Sequence, residues 1–180
     1  MSRWKLVSQK TILKARLFNV KEIVFEDGLG KRKIHHEAER VPIVTVFPIT
    51  DSYEIYLISE YRIMLKKTIL EAVAGHVNKK ETIIEAARRE LKEEAGITSH
   101  HLEEIARIEM SGSVFKSKAH IFLAKELEIG ENKLEDDEQI QVLKMPLSEA
   151  VTKVMNGEIN HSTSMIGILL LDKLRMQKKL

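Results

Sequence analysis

Glu90, Glu93 and Glu94 lie within a single turn of a stretch whose flanking residues mark it as a helix. Thr82 with Glu85 three positions on is a capping-box signature, and Gly96 suits a left-handed helix end, so the spacing predicts a helix over 82–95. At about 100° per residue, Ile84, Ala87, Leu91 and Ala95 share one apolar side while Glu90, Glu93 and Glu94 gather on another. Acids this close repel one another by roughly a few tenths of a kcal/mol per pair, and a bound cation supplies the missing compensation. All-oxygen ligation favours Mg²⁺ or Mn²⁺, because hard ions take carboxylate, carbonyl and water; zinc is further disfavoured by the absence of cysteine. Read alone, the run Arg89-Glu90-Leu91-Lys92-Glu93-Glu94 is equally an ordinary solvated helix face. The residues before the helix tip the balance: Gly75 permits a tight backbone turn that can aim the carbonyl of Ala74 at the same cluster.

Residues 75–97 fit the pattern G-x5-E-x7-R-E-(apolar)-x-E-E-x-G-(apolar) without a departure, at nine specified positions. This resembles the Nudix box, and the chain is identified on it as a member of the Nudix hydrolases, which cleave a nucleoside diphosphate linked to another moiety. The resemblance implies an α+β Nudix fold, an α/β/α sandwich with a mixed sheet. It also implies that Gly75, Glu81, Arg89 and Gly96 are structural positions of the box, with Arg89 paired to Glu81 to fix the loop against the helix. Metal ligands follow from it as the Ala74 carbonyl, Glu90 and Glu94, with Glu93 adding a water-mediated or bridging contact.

The elements that must position these groups are strand-rich at first and mixed later. Residues 11–39 carry alternating apolar positions broken by Asp27-Gly28 and Gly30, which predicts a small antiparallel β-meander. Val41–Ile49 and Tyr53–Tyr61, separated by Thr50-Asp51-Ser52, read as a β-hairpin, and Leu70–Ala74 leads into the box. After the helix, 102–110 and 119–127 read as strands, with a Gly/Ser/Lys loop at 112–118 and an acidic loop at 130–138. Two helices follow, about 148–156 and 162–178, the second with an apolar band at Ile166, Leu169, Leu170 and Leu174 that reads as core. The expected division is an N-terminal β segment over 1–40 and a catalytic domain over 41–180.

Outside the box the chain resembles the ADP-ribose pyrophosphatase and nucleoside-diphosphate-sugar branch. The N-terminal run from Trp4 to Gly28 is similar to extra strands those enzymes place before the core. Glu60-Tyr61-Arg62 with Leu70-Glu71-Ala72-Val73-Ala74-Gly75 is similar to the family's Q-Y-R and E-x-P/V-A-G stretch. Asn156 to Thr163 resembles its turn between the last two helices. Asp136-Asp137-Glu138 before Ile140 and Val142 resembles the acidic loop that supplies the catalytic carboxylate. The resemblance thus implies Asp136 or Glu138 as base, Glu138 also as a loop metal ligand, and Glu93 as a further catalytic carboxylate. It implies Arg62 as a charge-assisted fork on the phosphates, Glu71 beside the pocket, Arg40 at the meander's end, and Trp4 or His36 stacking on the base across a homodimer. One departure stands out: the family's S-P-G and following glutamate are replaced by Met110 to Lys118, with Ser117 and Lys118 where the acid is expected.

The 180 residues suit a single enzyme domain, and a net charge of +2 argues against a nucleic-acid-coating surface. Neither an apolar signal core nor a bilayer-length apolar run occurs, so no membrane association and a cytoplasmic location are expected. Residues 1–40 are too few to bury a core of their own, yet they carry Ile12, Leu17, Val20, Ile23 and Phe25. A two-fold partner docked through these strands is therefore expected. The expected activity is Mg²⁺-dependent hydrolysis of the diphosphate of ADP-ribose or a related nucleoside diphosphate sugar, releasing a nucleoside monophosphate and a sugar phosphate. The alternatives are a ligand-sensing Nudix domain without turnover and a hydrolase of another diphosphate such as a dinucleotide. An isomerase of the same fold would need a nucleophilic cysteine, which the chain lacks.

Overall fold

The computed structural model describes residues 3–132 and 139–180. In chain order the strands are β1 (Trp4–Lys14), β2 (Phe18–Asp27), β3 (Arg32–Arg40), β4 (Ile43–Pro48), β5 (Glu54–Arg62), β6 (Lys67–Glu71) and β7 (Val73–His76). Helix α1 (Ile83–Ala95) follows, then β8 (Ile97–Glu109), β9 (Phe115–Lys116), β10 (Lys118–Ile129) and β11 (Ile140–Pro146), and finally α2 (Leu147–Met155) and α3 (Ser162–Met176). Two compact units emerge: the strands up to Pro42 with Ile108–Ala119, and Ile43–Arg107 with His120–Leu180.

The first unit is the sheet β1-β2-β3-β9, antiparallel except for the short parallel pairing of Ala38 with Phe115. The turn between β2 and β3 is set by Asp27, whose Oδ1 accepts the backbone N–H of Leu29 at 2.9 Å and of Lys31 at 3.0 Å, while Arg3 reaches Oδ2 at 2.6 Å. Gly30, at φ 78°, takes the left-handed position this turn needs. Strand β1 begins at Trp4, ahead of the alternation at 11–39 but within the run from Trp4 that resembles the family's extra strands. Ile23 is buried, whereas Leu6, Val7, Ile12 and Leu13 are exposed.

In the second unit, sheets β7-β4-β10-β8 and β11-β5-β6 hold the core. All six residues of β4 are buried, and its Val44 and Val46 cluster with Val73, Ala87, Leu91, Ile97 and Phe122. The expected hairpin of β4 with β5 is corrected here. The turn forms, with Tyr53 N–H bonded to the Thr50 carbonyl and Thr50 N–H to the Glu54 carbonyl, both at 2.9 Å, but among the described residues the pairing extends no further than the bridge Ile49–Ile55 before the two strands part into different sheets. Both edges of β4 are already taken by β7 and β10, and Pro48 has no N–H to extend a ladder.

The expected core band of α3 is also displaced. Ile166 and Leu169 are exposed, and the buried face is Thr163, Ser164, Gly167, Ile168 and Leu171. Small residues let the helix close on β4: a Cβ on Gly167 would lie 2.1 Å from the Phe47 ring. Thr163 and Thr45 hydroxyls meet at 3.0 Å. No described helix is long and apolar enough to cross a membrane.

Candidate active site

Helix α1 begins as its sequence dictates. The Thr82 side chain accepts the Glu85 N–H at 3.3 Å and the Glu85 carboxylate accepts the Thr82 N–H at 2.7 Å, a reciprocal capping box. It ends at Gly96, left-handed at φ 67°, where a Cβ would also strike the Gly130 carbonyl at 2.6 Å. Its buried face keeps the expected Ala87, Leu91 and Ala95 but not Ile84. Ile84 is exposed, and Ala86, Ala87, Glu90, Leu91, Glu94 and Ala95 face inward.

The turn of the helix carries two of the three glutamates into the protein. Glu90 is 9% exposed and Glu94 4% exposed, while the Glu93 side chain remains 42% exposed. Both buried acids meet strand β7. Glu94 Oε2 accepts the Ala74 N–H at 3.0 Å. The Glu90 carboxylate lies against Gly75 so closely that a Cβ there would fall 1.9 Å from its Cδ and Oε1. Gly75 is thus required for close approach of a carboxylate to backbone.

Arg89 organises the outer side of this cluster. Nε and one terminal nitrogen grip Glu81 at 2.8 and 3.0 Å, and that nitrogen also donates to the His76 carbonyl at 2.9 Å. The other terminal nitrogen donates to Glu90 Oε1 at 2.8 Å and Glu93 Oε2 at 2.9 Å. Glu81, above all the others, raises the Arg89 pKa, and Arg89 in turn holds the Glu81 carboxyl below its usual range. The Arg89–Glu81 contact is the one the sequence pattern anticipates; the grip on Glu90 and Glu93 is not visible in that pattern.

Among the described residues no three His, Cys, Asp or Glu side chains converge as a set that could hold a metal ion. Asp136 and Glu138 lie outside the described residues. The donors that are described, two buried carboxylates beside the backbone of Ala74 and Gly75, are all oxygen and fit a hard divalent cation.

A second charged group stands at the end of β5. Arg62 Nε donates to Glu71 Oε1 at 2.7 Å, and a terminal nitrogen donates to Glu60 Oε1 at 2.9 Å. Glu71 is 1% exposed, and its other oxygen lies 3.1 Å from His161 Nδ1. Burial pushes the Glu71 carboxyl up, with Arg62 opposing, and burial also pushes the His161 imidazole down. The sequence reading has His161 only as part of the turn Asn156 to Thr163, with no role at the site, and does not single out Ser164.

Trp4, His36 and Arg40 belong to the N-terminal unit. The Arg3 guanidinium sits 5.7 Å from the Trp4 ring centroid, and His36 Nε2 lies 3.7 Å from Glu22. Trp4 pairs with Asp27 and Arg40 with Phe18, at opposite ends of β2. At about 3.4 Å per residue those ends are roughly 30 Å apart, too far for one nucleotide to touch both in one chain. Lys116 is paired to Glu39 at 2.9 Å and Lys118 to Glu109 at 3.2 Å, while Ser117 is buried.

The chain is similar to known proteins over most of its length. The NUDIX domain family model matches residues 39–164. The ADP-ribose pyrophosphatase of Bacillus subtilis (strain 168) is 32% identical over 162 residues, covering 86% of this chain and 88% of that protein. The ADP compounds hydrolase NudE of Escherichia coli (strain K12) is 26% identical over 167 residues, covering 92% and 89%. A crystal structure of an ADP compounds hydrolase superposes with a TM-score of 0.85 at 26% identity, covering 100% of this chain and 98% of that one.

Proposed function

Because this chain belongs to the Nudix hydrolase family, we propose that it hydrolyses the diphosphate linkage of ADP-ribose or a related nucleoside diphosphate sugar, giving a nucleoside monophosphate and a sugar phosphate. The observation that carries this reading is the seating of the Glu90 carboxylate against Gly75 beside the Glu94–Ala74 contact. Arg89 holds Glu90 and the Ala74 N–H holds Glu94, and this leaves an all-oxygen arrangement that a hard divalent cation can join. The activities printed for the two relatives support an ADP-containing substrate.

In this reading Glu90, Glu94 and the Ala74 carbonyl hold Mg²⁺ or Mn²⁺, with Glu93 adding a water-mediated or bridging contact and Glu138 a ligand from the acidic loop. When bound, the ion neutralises phosphate oxygens and makes water a better nucleophile. The protein's own part is positional. Arg89 holds Glu90 and Glu93 from one side and the box loop through Glu81 from the other, so the carboxylates are presented without rearrangement. Arg62, fixed by Glu60 and Glu71, presents its remaining N–H groups to the diphosphate. Asp136 or Glu138 takes the proton from the attacking water.

The base of the nucleotide is held by Trp4 or His36, with Arg40 contributing, across a homodimer built on the N-terminal strands. The separation of Trp4 from Arg40 along β2 and the exposure of Leu6, Val7, Ile12 and Leu13 support a partner chain at this unit. The test of substrate class is a panel of ADP-ribose, GDP-mannose, UDP-glucose, NADH and dinucleoside polyphosphates assayed with Mg²⁺. The highest kcat/KM is expected for ADP-ribose or a nucleotide sugar; a dinucleotide preference, or no turnover of any member, overturns the assignment.

A further inference from the structure

Glu71 is enclosed almost completely, yet Arg62 uses only one of its two oxygens. Nε and a terminal nitrogen of Arg62 both lie 2.7 Å from Oε1. Among the described residues Oε2 has no hydrogen-bond partner, and the polar atom beside it is His161 Nδ1 at 3.1 Å. A carboxylate oxygen and a bare imidazole nitrogen would repel at that distance, so a proton must sit on one of them. Ser164 Oγ also lies 3.0 Å from Nδ1, so it shares that one ring position with Glu71, and it accepts the Ala72 N–H at 2.9 Å. The start of α3 therefore grips two successive residues, Glu71 through His161 and Ala72 through Ser164, at the point where β6 gives way to β7.

We propose that His161 is a positioning residue: it fixes the Glu71 carboxyl through Oε2 so that Oε1 holds the Arg62 fork in the orientation that receives the substrate's diphosphate. The geometry has three links in series, His161 to Glu71, Glu71 to Arg62, and Arg62 to substrate, and the last rests on the function proposed above. A carboxyl anchored at only one oxygen can rotate about its terminal bond, and Arg62, 35% exposed, would follow it toward solvent. Burial favours the uncharged forms of both Glu71 and His161, which suits one proton shared between them over a separated ion pair. Glu60, on the far terminal nitrogen of Arg62, cannot replace this hold, because it leaves Nε without its partner.

The test has one arm without substrate and one with it. In the full-length protein the Arg62 Nε–H should give a slowly exchanging nitrogen-proton NMR signal. It should be lost in His161→Ala and retained in His161→Asn, whose carboxamide can donate to Oε2. With ADP-ribose and Mg²⁺, His161→Ala should raise KM about tenfold with little change in kcat, the signature of lost ground-state grip, and His161→Asn should recover most of it. In an Arg62→Ala background, His161→Ala should add nothing further. A protected Arg62 signal in His161→Ala, or an equal rise in KM when Arg62 is already absent, overturns the proposal. Should the wild type hydrolyse no diphosphate at all, the function proposed above fails, and the NMR arm alone decides whether His161 positions Arg62.

Discussion

Gly75→Ala separates the site from the fold more cleanly than removal of any charged residue. An ideal Cβ at this position would lie 1.9 Å from Cδ and Oε1 of Glu90 and 2.4 Å from Oε2, so reaching a normal contact of about 3.5 Å requires the carboxylate to move by roughly 1.6 Å. What yields is the end of a flexible side chain, and Gly75 is not among the glycines with positive φ, so the backbone accepts alanine without strain. Alanine also lowers the entropy of the unfolded chain. The melting temperature is therefore expected to stay within about 4 °C of wild type, a change of about 1 kcal/mol for a chain of this size. Catalysis has no such tolerance, since a misplacement of about 1 Å can lower a rate ~10²-fold. The assay is steady-state hydrolysis of ADP-ribose at saturating Mg²⁺ alongside thermal denaturation. Wild-type kcat in a folded Gly75→Ala protein would show that Glu90 is not at the reaction centre. Unfolding of the variant would show that the carboxylate cannot yield, contrary to the argument.

Other expectations follow from the same geometry. Glu94→Gln keeps an oxygen to accept the Ala74 N–H, so it should fold normally yet lose at least ~100-fold in turnover, as disrupted metal sites do; undiminished activity in circular-dichroism-normal protein refutes the ligand role. If the acidic loop supplies the base, alanine at Glu138 or Asp136 should leave substrate affinity intact and lower kcat by ~10²–10⁴-fold. Wild-type rates in both single variants and in the double variant would exclude the loop. The exposed apolar residues of β1 should be covered by a second copy, so light scattering of the full-length protein at micromolar concentration should give a dimer, and a monomer with normal KM contradicts it.

How much of this was legible in the sequence depended on whether the determinant was local. The α1 boundaries were readable because Thr82, Glu85 and Gly96 set the ends by bonds within a few residues. The α+β Nudix fold with its antiparallel N-terminal strands followed from the box and the strand alternation. The apolar side of α1 was legible at Ala87, Leu91 and Ala95 and failed only at Ile84, which is exposed, whereas the inward turn of Glu90 and Glu94 depends on the space Gly75 leaves, which helical periodicity does not encode. In α3 the bulky residues Ile166 and Leu169 attracted the core assignment, but the helix closes on Phe47 through Gly167 and bonds through Thr163 and Ser164. The hairpin of β4 and β5 failed for a non-local reason, since β7 and β10 already occupy both edges of β4. The Arg62–Glu71–His161 series joins residues up to 99 positions apart, a pairing that periodicity and motif spacing do not encode.

The proposed reaction is divalent-cation-dependent cleavage of a nucleoside diphosphate sugar. Phosphorus NMR of ADP-ribose incubated with the purified full-length protein tests it most directly, once with Mg²⁺ and once with EDTA. The expected result is loss of the two diphosphate signals with Mg²⁺ and growth of two phosphomonoester signals, those of AMP and ribose 5-phosphate, with no change in EDTA. An intact diphosphate in the presence of Mg²⁺, or equal cleavage in EDTA, would contradict the account.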